Sequence, residues 1–128
     1  MMKNYYQPHG GKKGEFTLRD NTYRRMLYLI ADYEYFKAVQ RGEVELEQLK
    51  DERNSTTETA AIKRVNFDTY IQAIEKAAEA IPSEYVEAVQ MHIMHRKRYA
   101  DFDHVSENTL KKWVQRFIWH VAKELGEI

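Results

Sequence analysis

The residues best suited to chemistry lie close together, in Val105-Ser106-Glu107-Asn108-Thr109-Leu110-Lys111-Lys112-Trp113. Asn can read adenine bidentately, Glu can accept from cytosine N4, and Lys can reach guanine or a phosphate. Glu107, Asn108, Lys111 and Lys112 are therefore the candidate base-reading residues. Arg96, Arg98, Ser106, Gln115 and Arg116 flank them and are candidates for the DNA backbone. Val105 precedes Ser106 as a hydrophobic entry residue precedes a helix cap. After the cap come polar side chains, then Leu110, Trp113 and Phe117 at helical spacing. The pattern predicts a recognition helix opening at Ser106 and running toward Leu125, its first turn in the major groove and its apolar face on the preceding helices.

A capped amphipathic helix with no ligand is the plainer reading of that stretch. Three features weigh against it. A short helical segment over roughly Lys97 to His104 could serve as the first helix of a helix-turn-helix. Arg96, Lys97 and Arg98 flank it with charge suited to phosphates. From Arg96 to Arg116 the chain holds six basic residues against three acidic ones.

Other constellations are weaker. His92, His95, Asp101, Asp103 and His104 are metal-ligand types, and His92 and His95 at i, i+3 share a helix face. The two aspartates fall in an expected loop, however, and the H-E-x-x-H pairing is absent. No metal is expected; His92 is read as partly core and His95 as facing solvent or phosphate. Carboxylates are plentiful, yet no paired motif selects an acid and a base. Gly10-Gly11-Lys12-Lys13-Gly14 has the wrong spacing for a phosphate-binding loop. The chain has no cysteine, which removes thiolate chemistry and disulfides together. No enzyme activity and no cofactor is expected.

Helices must position these side chains. Tyr23, Met26, Leu27, Ile30 and Tyr33 follow a 3-4 spacing and predict one helix from Asn21 to Arg41, capped by Asp20 or Asn21 and stopped by Gly42. Glu43 to Asn54 is highly charged, as a short helix or a solvated linker would be. Phe67, Tyr70, Ile71, Ile74, Ala77, Ala78 and Ile81 line a second long helix, entered from Ser55 to Thr57 and ended by Pro82. Pro82 fits the first position of a third helix lined by Tyr85, Val86, Val89, His92 and Ile93. Gly126 closes the last one. Most tyrosines, among them Tyr23, Tyr28, Tyr33 and Tyr35, read as core or dimer-interface residues. With no useful strand alternation the class is all-α: a helical domain with a C-terminal helix-turn-helix and one or two long N-terminal helices. Residues 1–54 divide as a flexible arm (Met1 to Glu15), a helix and a charged linker, and 55–128 form the helical region.

Twenty Lys and Arg balance twenty Asp and Glu. A dedicated nucleic-acid binder is usually basic, so the zero sum counts against one. Phosphate contacts are local, though, and the charge is unevenly spread. Acids concentrate around Glu43 to Glu52, and bases at Arg19 to Arg25 and Arg96 to Arg116. No apolar run is long enough to span a membrane, and the first residues lack a secretory h-region. The expected location is the cytoplasm, here of a bacterial host.

Several of these motifs carry a resemblance. Ser55-Thr56-Thr57-Glu58-Thr59-Ala60, the helix from Ile71 to Pro82, and Pro82-Ser83-Glu84-Tyr85 resemble the middle of phage regulators of the RinA/ArpU type. Val105-Ser106-Glu107-Asn108-Thr109-Leu110 resembles the turn and recognition-helix start of their sigma-70 region 4-like helix-turn-helix. Val121-Ala122-Lys123-Glu124-Leu125-Gly126 resembles their ending. The segment Arg98 to His104 departs from the pattern, being aspartate-rich and short. The resemblance implies a transcriptional activator of phage genes that binds double-stranded DNA and acts with host RNA polymerase. Its N-terminal helices would serve a homodimer or face the polymerase. Two other classes compete: a helical protein–protein adaptor without DNA contact, such as an antirepressor, and a phage terminase small subunit, which would form a ring.

Overall fold

The computed structural model describes residues 8–9, 16–43 and 57–128; the side chains of 8–9 and 57–64 are outside that description. The fold is all-α. Two short strands, β1 (Pro8–His9) and β2 (Leu18–Arg19), pair antiparallel, with His9 opposite Leu18. Among the described residues five α-helices follow: α1 (Asp20–Ala31), α2 (Tyr33–Gln40), α3 (Thr57–Ala78), α4 (Ser83–Met94) and α5 (Glu107–Glu124). None of these helices is long and apolar enough to cross a membrane. Most of the arm (Met1 to Glu15) and most of the charged stretch (Glu43 to Asn54) lie outside the described residues.

The single helix expected over Asn21 to Arg41 is two helices. The backbone leaves helical geometry at Asp32 (φ −92°, ψ 9°), whose N–H donates to the Leu29 carbonyl at 3.1 Å. The break re-aims the apolar positions. Met26 and Ile30 of α1 enter the main core, whereas Phe36 and Val39 of α2 are buried outside it. Phe36 stacks on Phe67 of α3 with centroids 4.6 Å apart and leans on Tyr70 at 5.5 Å. Beside them, Tyr33 donates to Glu75 at 2.7 Å. Of the tyrosines read as core, Tyr23 and Tyr33 are half-buried against it, but Tyr28 and Tyr35 are 67% and 43% exposed.

Helix ends follow their glycines and proline. Gly42 (φ +78°) and Gly126 (φ +75°) each take the left-handed conformation past a helix end. In both places the next N–H reaches back, Glu43 to Ala38 and Glu127 to Ala122, at 2.9 Å. Each is a Schellman closure, which only glycine enters without strain. Pro82 stands one position ahead of α4, and its carbonyl accepts from Tyr85 N–H at 2.9 Å.

Helix α5 is the centre of the molecule. Leu110, Val114, Phe117, Ile118, Val121 and Ala122 are all 2% exposed or less. They meet Leu18, Met26 and Ile30 from the N-terminal side, Ile74 and Ala77 of α3, and Val89 and Ile93 of α4. At roughly 1.5–3 kcal/mol for each large side chain fully removed from water, this face is the main anchor of α5.

Candidate nucleic-acid interface

The start of α5 forms as its sequence dictates. Ser106 is extended (φ −67°, ψ 152°), and its Oγ accepts from Thr109 N–H at 3.2 Å while donating to Thr109 Oγ1 at 2.8 Å. The cap satisfies one of the first-turn donors that a helix leaves unpaired. Glu107, Asn108, Lys111 and Lys112 are all exposed on the two turns that follow. They form two adjacent i, i+4 rows, Glu107–Lys111 and Asn108–Lys112, with the buried Leu110 behind them.

The segment expected as the first helix of the motif is different. Residues 95–106 cross from α4 to α5 as an extended connection with a single 3₁₀ turn, Tyr99–Asp101. A tight helix-turn-helix with Lys97 to His104 as its first helix is therefore not what this stretch builds. Its few apolar side chains have no helical stripe to share. Each instead finds its own support: Tyr99 stacks on the His92 ring at 3.9 Å, and Lys97 lies over Phe102 at 4.6 Å. The connection is fixed to α4 as well. His92 Nδ1 contacts the Lys97 carbonyl at 2.8 Å, and Lys97 N–H donates to Met91 at 3.1 Å. His95 is exposed at the α4 end, and the following residue, Arg96, takes a positive φ of 56°. Among the described residues no three His, Asp or Glu side chains converge to hold a metal.

The cations around α5 are held by carboxylates, by aromatic rings or, at Lys111, by both, since Lys111 also lies over the Tyr99 ring at 5.5 Å. Lys111 pairs with Glu107 at 2.8 Å, and Arg98 makes a two-pronged contact with Asp101 at 3.1 and 3.2 Å. All four groups are exposed, so solvent screens both pairs and each contributes little to stability. Others rest on aromatic rings. Lys112 sits over Trp113 at 4.9 Å, and Arg116 is shared between Trp113 (5.1 Å) and Phe16 (4.5 Å). Lys123 lies over Trp119 at 5.2 Å. A ring face attracts a cation through its quadrupole but does not cancel the charge. Lys112 and Arg116 have no ion-pair partner among the described residues. Trp113 is itself held flat against Tyr85 of α4 (5.8 Å, 19°).

Two backbone candidates are engaged within the fold. Ser106 is occupied by its cap. Gln115 Nε2 donates to the Phe16 carbonyl, which ties the N-terminal segment across the middle of α5. Phe16 then meets Trp119 edge-on at 5.1 Å and His120 at 5.9 Å. Burial there lowers the His120 pKa, and the positive charge of Lys123 adds to the effect. Phe16 thus lies along α5 between Gln115 and His120, while Glu107, Asn108, Lys111 and Lys112 on the first two turns stay exposed. Sequence reasoning does not single out Phe16, Tyr99 or Trp119, and it reads Trp113 only as an apolar-face position. Trp113 and Trp119 each sit next to a base or three to four residues from one, a spacing that carries a cation–π signal only once the helix face is known.

No family model, no curated protein and no solved structure matches this chain.

Proposed function

We propose that the protein is a sequence-reading, duplex-DNA-binding transcriptional regulator, with the first two turns of α5 as its reading surface. The observation that carries this is the two-faced start of α5: Leu110 and Val114 are locked in the core, while Glu107, Asn108, Lys111 and Lys112 on the same two turns, behind the Ser106 cap, are all exposed. Rigid presentation of polar side chains with both donors and acceptors is what reading base edges requires. Lys112 and Arg116, with Arg96 and Arg98 from the connection, supply the phosphate contacts. Ser106 and Gln115 act by holding the helix rather than the backbone of DNA. The connection over 95–106 gives α5 an approach angle of its own, set by its packing on α1, α3 and α4. The phage-regulator kinship and an activating role with RNA polymerase belong to the same proposal.

The zero net charge and the Glu107–Lys111 and Arg98–Asp101 pairs favour one rival, a protein–protein adaptor without DNA contact. Titration of random-sequence duplex at two or more salt concentrations separates them. The regulator gives binding that weakens steeply with salt, because each phosphate contact releases counterions. An adaptor gives no shift at any salt.

A further inference from the structure

Between α4 and the connection lies a cavity of about 240 Å³ that DNA reading does not use. One wall is a single face of α4, carrying Glu84, Glu87 and Met91. The facing wall carries Lys97, Phe102, His104 and Val105. Glu84 and Glu87 stand one helical turn apart, both exposed, and neither has an ion-pair partner among the described residues. Opposite them Lys97 is half-buried and held over the Phe102 ring at 4.6 Å. Met91, Phe102 and Val105, all half-buried, make the apolar surface between the two charged rims.

We propose that this cavity is a binding site for a small zwitterion with an apolar side chain, an α-amino acid in chemical class. Its ammonium group lies toward Glu84 and Glu87, its carboxylate toward Lys97 and His104, and its side chain on Met91, Phe102 and Val105. The charge arrangement selects against the alternatives. A simple amine gains the carboxylates but leaves Lys97 without a counterion; a simple acid meets Glu84 and Glu87 as like charges. A neutral apolar molecule desolvates both rims with nothing in return. The size is consistent, because the volume falls below the roughly 300–1,000 Å³ typical of drug-sized ligands.

The site stands whether or not α5 reads DNA, and the test uses the full chain alone. L-leucine and L-phenylalanine are titrated and followed by amide-resolved NMR and thermal unfolding. Saturable shifts at Met91, Phe102 and Val105 with a raised Tm are expected. Phenethylamine and hydrocinnamate, each lacking one charge, should bind at least about tenfold more weakly than L-phenylalanine. Glu84→Gln combined with Glu87→Gln should weaken L-phenylalanine by a similar factor while the protein stays folded. The proposal is overturned by the absence of saturable shifts along the cavity, by either analogue binding as well as the amino acid, or by indifference to the double substitution.

Discussion

Ser106 shows how one residue divides between fold and function. Its hydroxyl is committed to Thr109, so it stabilises the first turn rather than meeting DNA. Ser106→Ala should cost about 0.5–2 kcal/mol in urea unfolding, and Ser106→Asp, another capping residue, should recover most of it. Lys112 plays the opposite part in the proposed function, since it lies over the Trp113 ring and has no ion-pair partner among the described residues. Lys112→Ala should weaken every DNA sequence alike and lower the salt slope by about one. His120 adds a pH dependence. Its folded pKa is lowered, by burial first and then by Lys123, so the unfolded chain binds the proton more readily. The stability tied to its neutral form is present above the unfolded pKa, about 6.5, and is lost as pH falls through the lowered value. Urea unfolding compared above and below that range should show wild type losing stability in acid, with His120→Gln losing less.

Among elements, α5 carries an anchoring face, which includes Leu110 and Val114, opposite the face proposed to read DNA. Ile118 is fully buried on the core face. Ile118→Ala should cost about 2–5 kcal/mol and lower the urea midpoint at unchanged slope. The DNA affinity of the molecules that remain folded should not move, whereas a change in sequence preference would contradict the division. Most helix ends were legible in the sequence because local chemistry sets them: the Ser106 cap, the glycines at 42 and 126, and Pro82. The break at Asp32 was not, since the 3-4 spacing of apolar residues continues through it and only the tertiary demands of Phe36 and Phe67 require a bend. The helical reading of Lys97 to His104 fails for a related reason. Tyr99 and Phe102 are placed by His92 and Lys97, partners that periodicity cannot supply. The tie between Gln115 and Phe16 spans most of the chain and leaves no local trace. Of the nine candidate interface residues, the exposed face of Glu107, Asn108, Lys111 and Lys112 followed from helical spacing alone. The roles of Ser106 and Gln115 depended on neighbours.

At the scale of the molecule, one core joins the N-terminal segment, α1, α3, α4 and α5, so the proposed reading surface depends on the whole being folded. Three phenols of the described residues are pushed upward; at Tyr99 the causes are burial and then the charge of Glu107. Burial raises Tyr23 to about 12, and burial together with the hydrogen bond to Glu75 raises Tyr33 to about 12. The unfolded phenols ionise near 10, so stability is intact below that pH and falls as pH rises toward 12. Tyr23→Phe should move the alkaline transition in far-UV circular dichroism upward, and an unchanged transition would mean the phenol is not protected by the fold. The overall charge is zero, which makes the local charge around α5 decisive for any nucleic acid. The central claim, that the first two turns of α5 read base edges, is tested most directly by selecting bound duplexes from a random pool with wild type and with Asn108→Ala. The account predicts a defined motif for wild type and relaxed preference at one base position for the variant, a loss of about 1–3 kcal/mol there. Selection of no motif by the wild type, or of the same motif at full strength by Asn108→Ala, would contradict it.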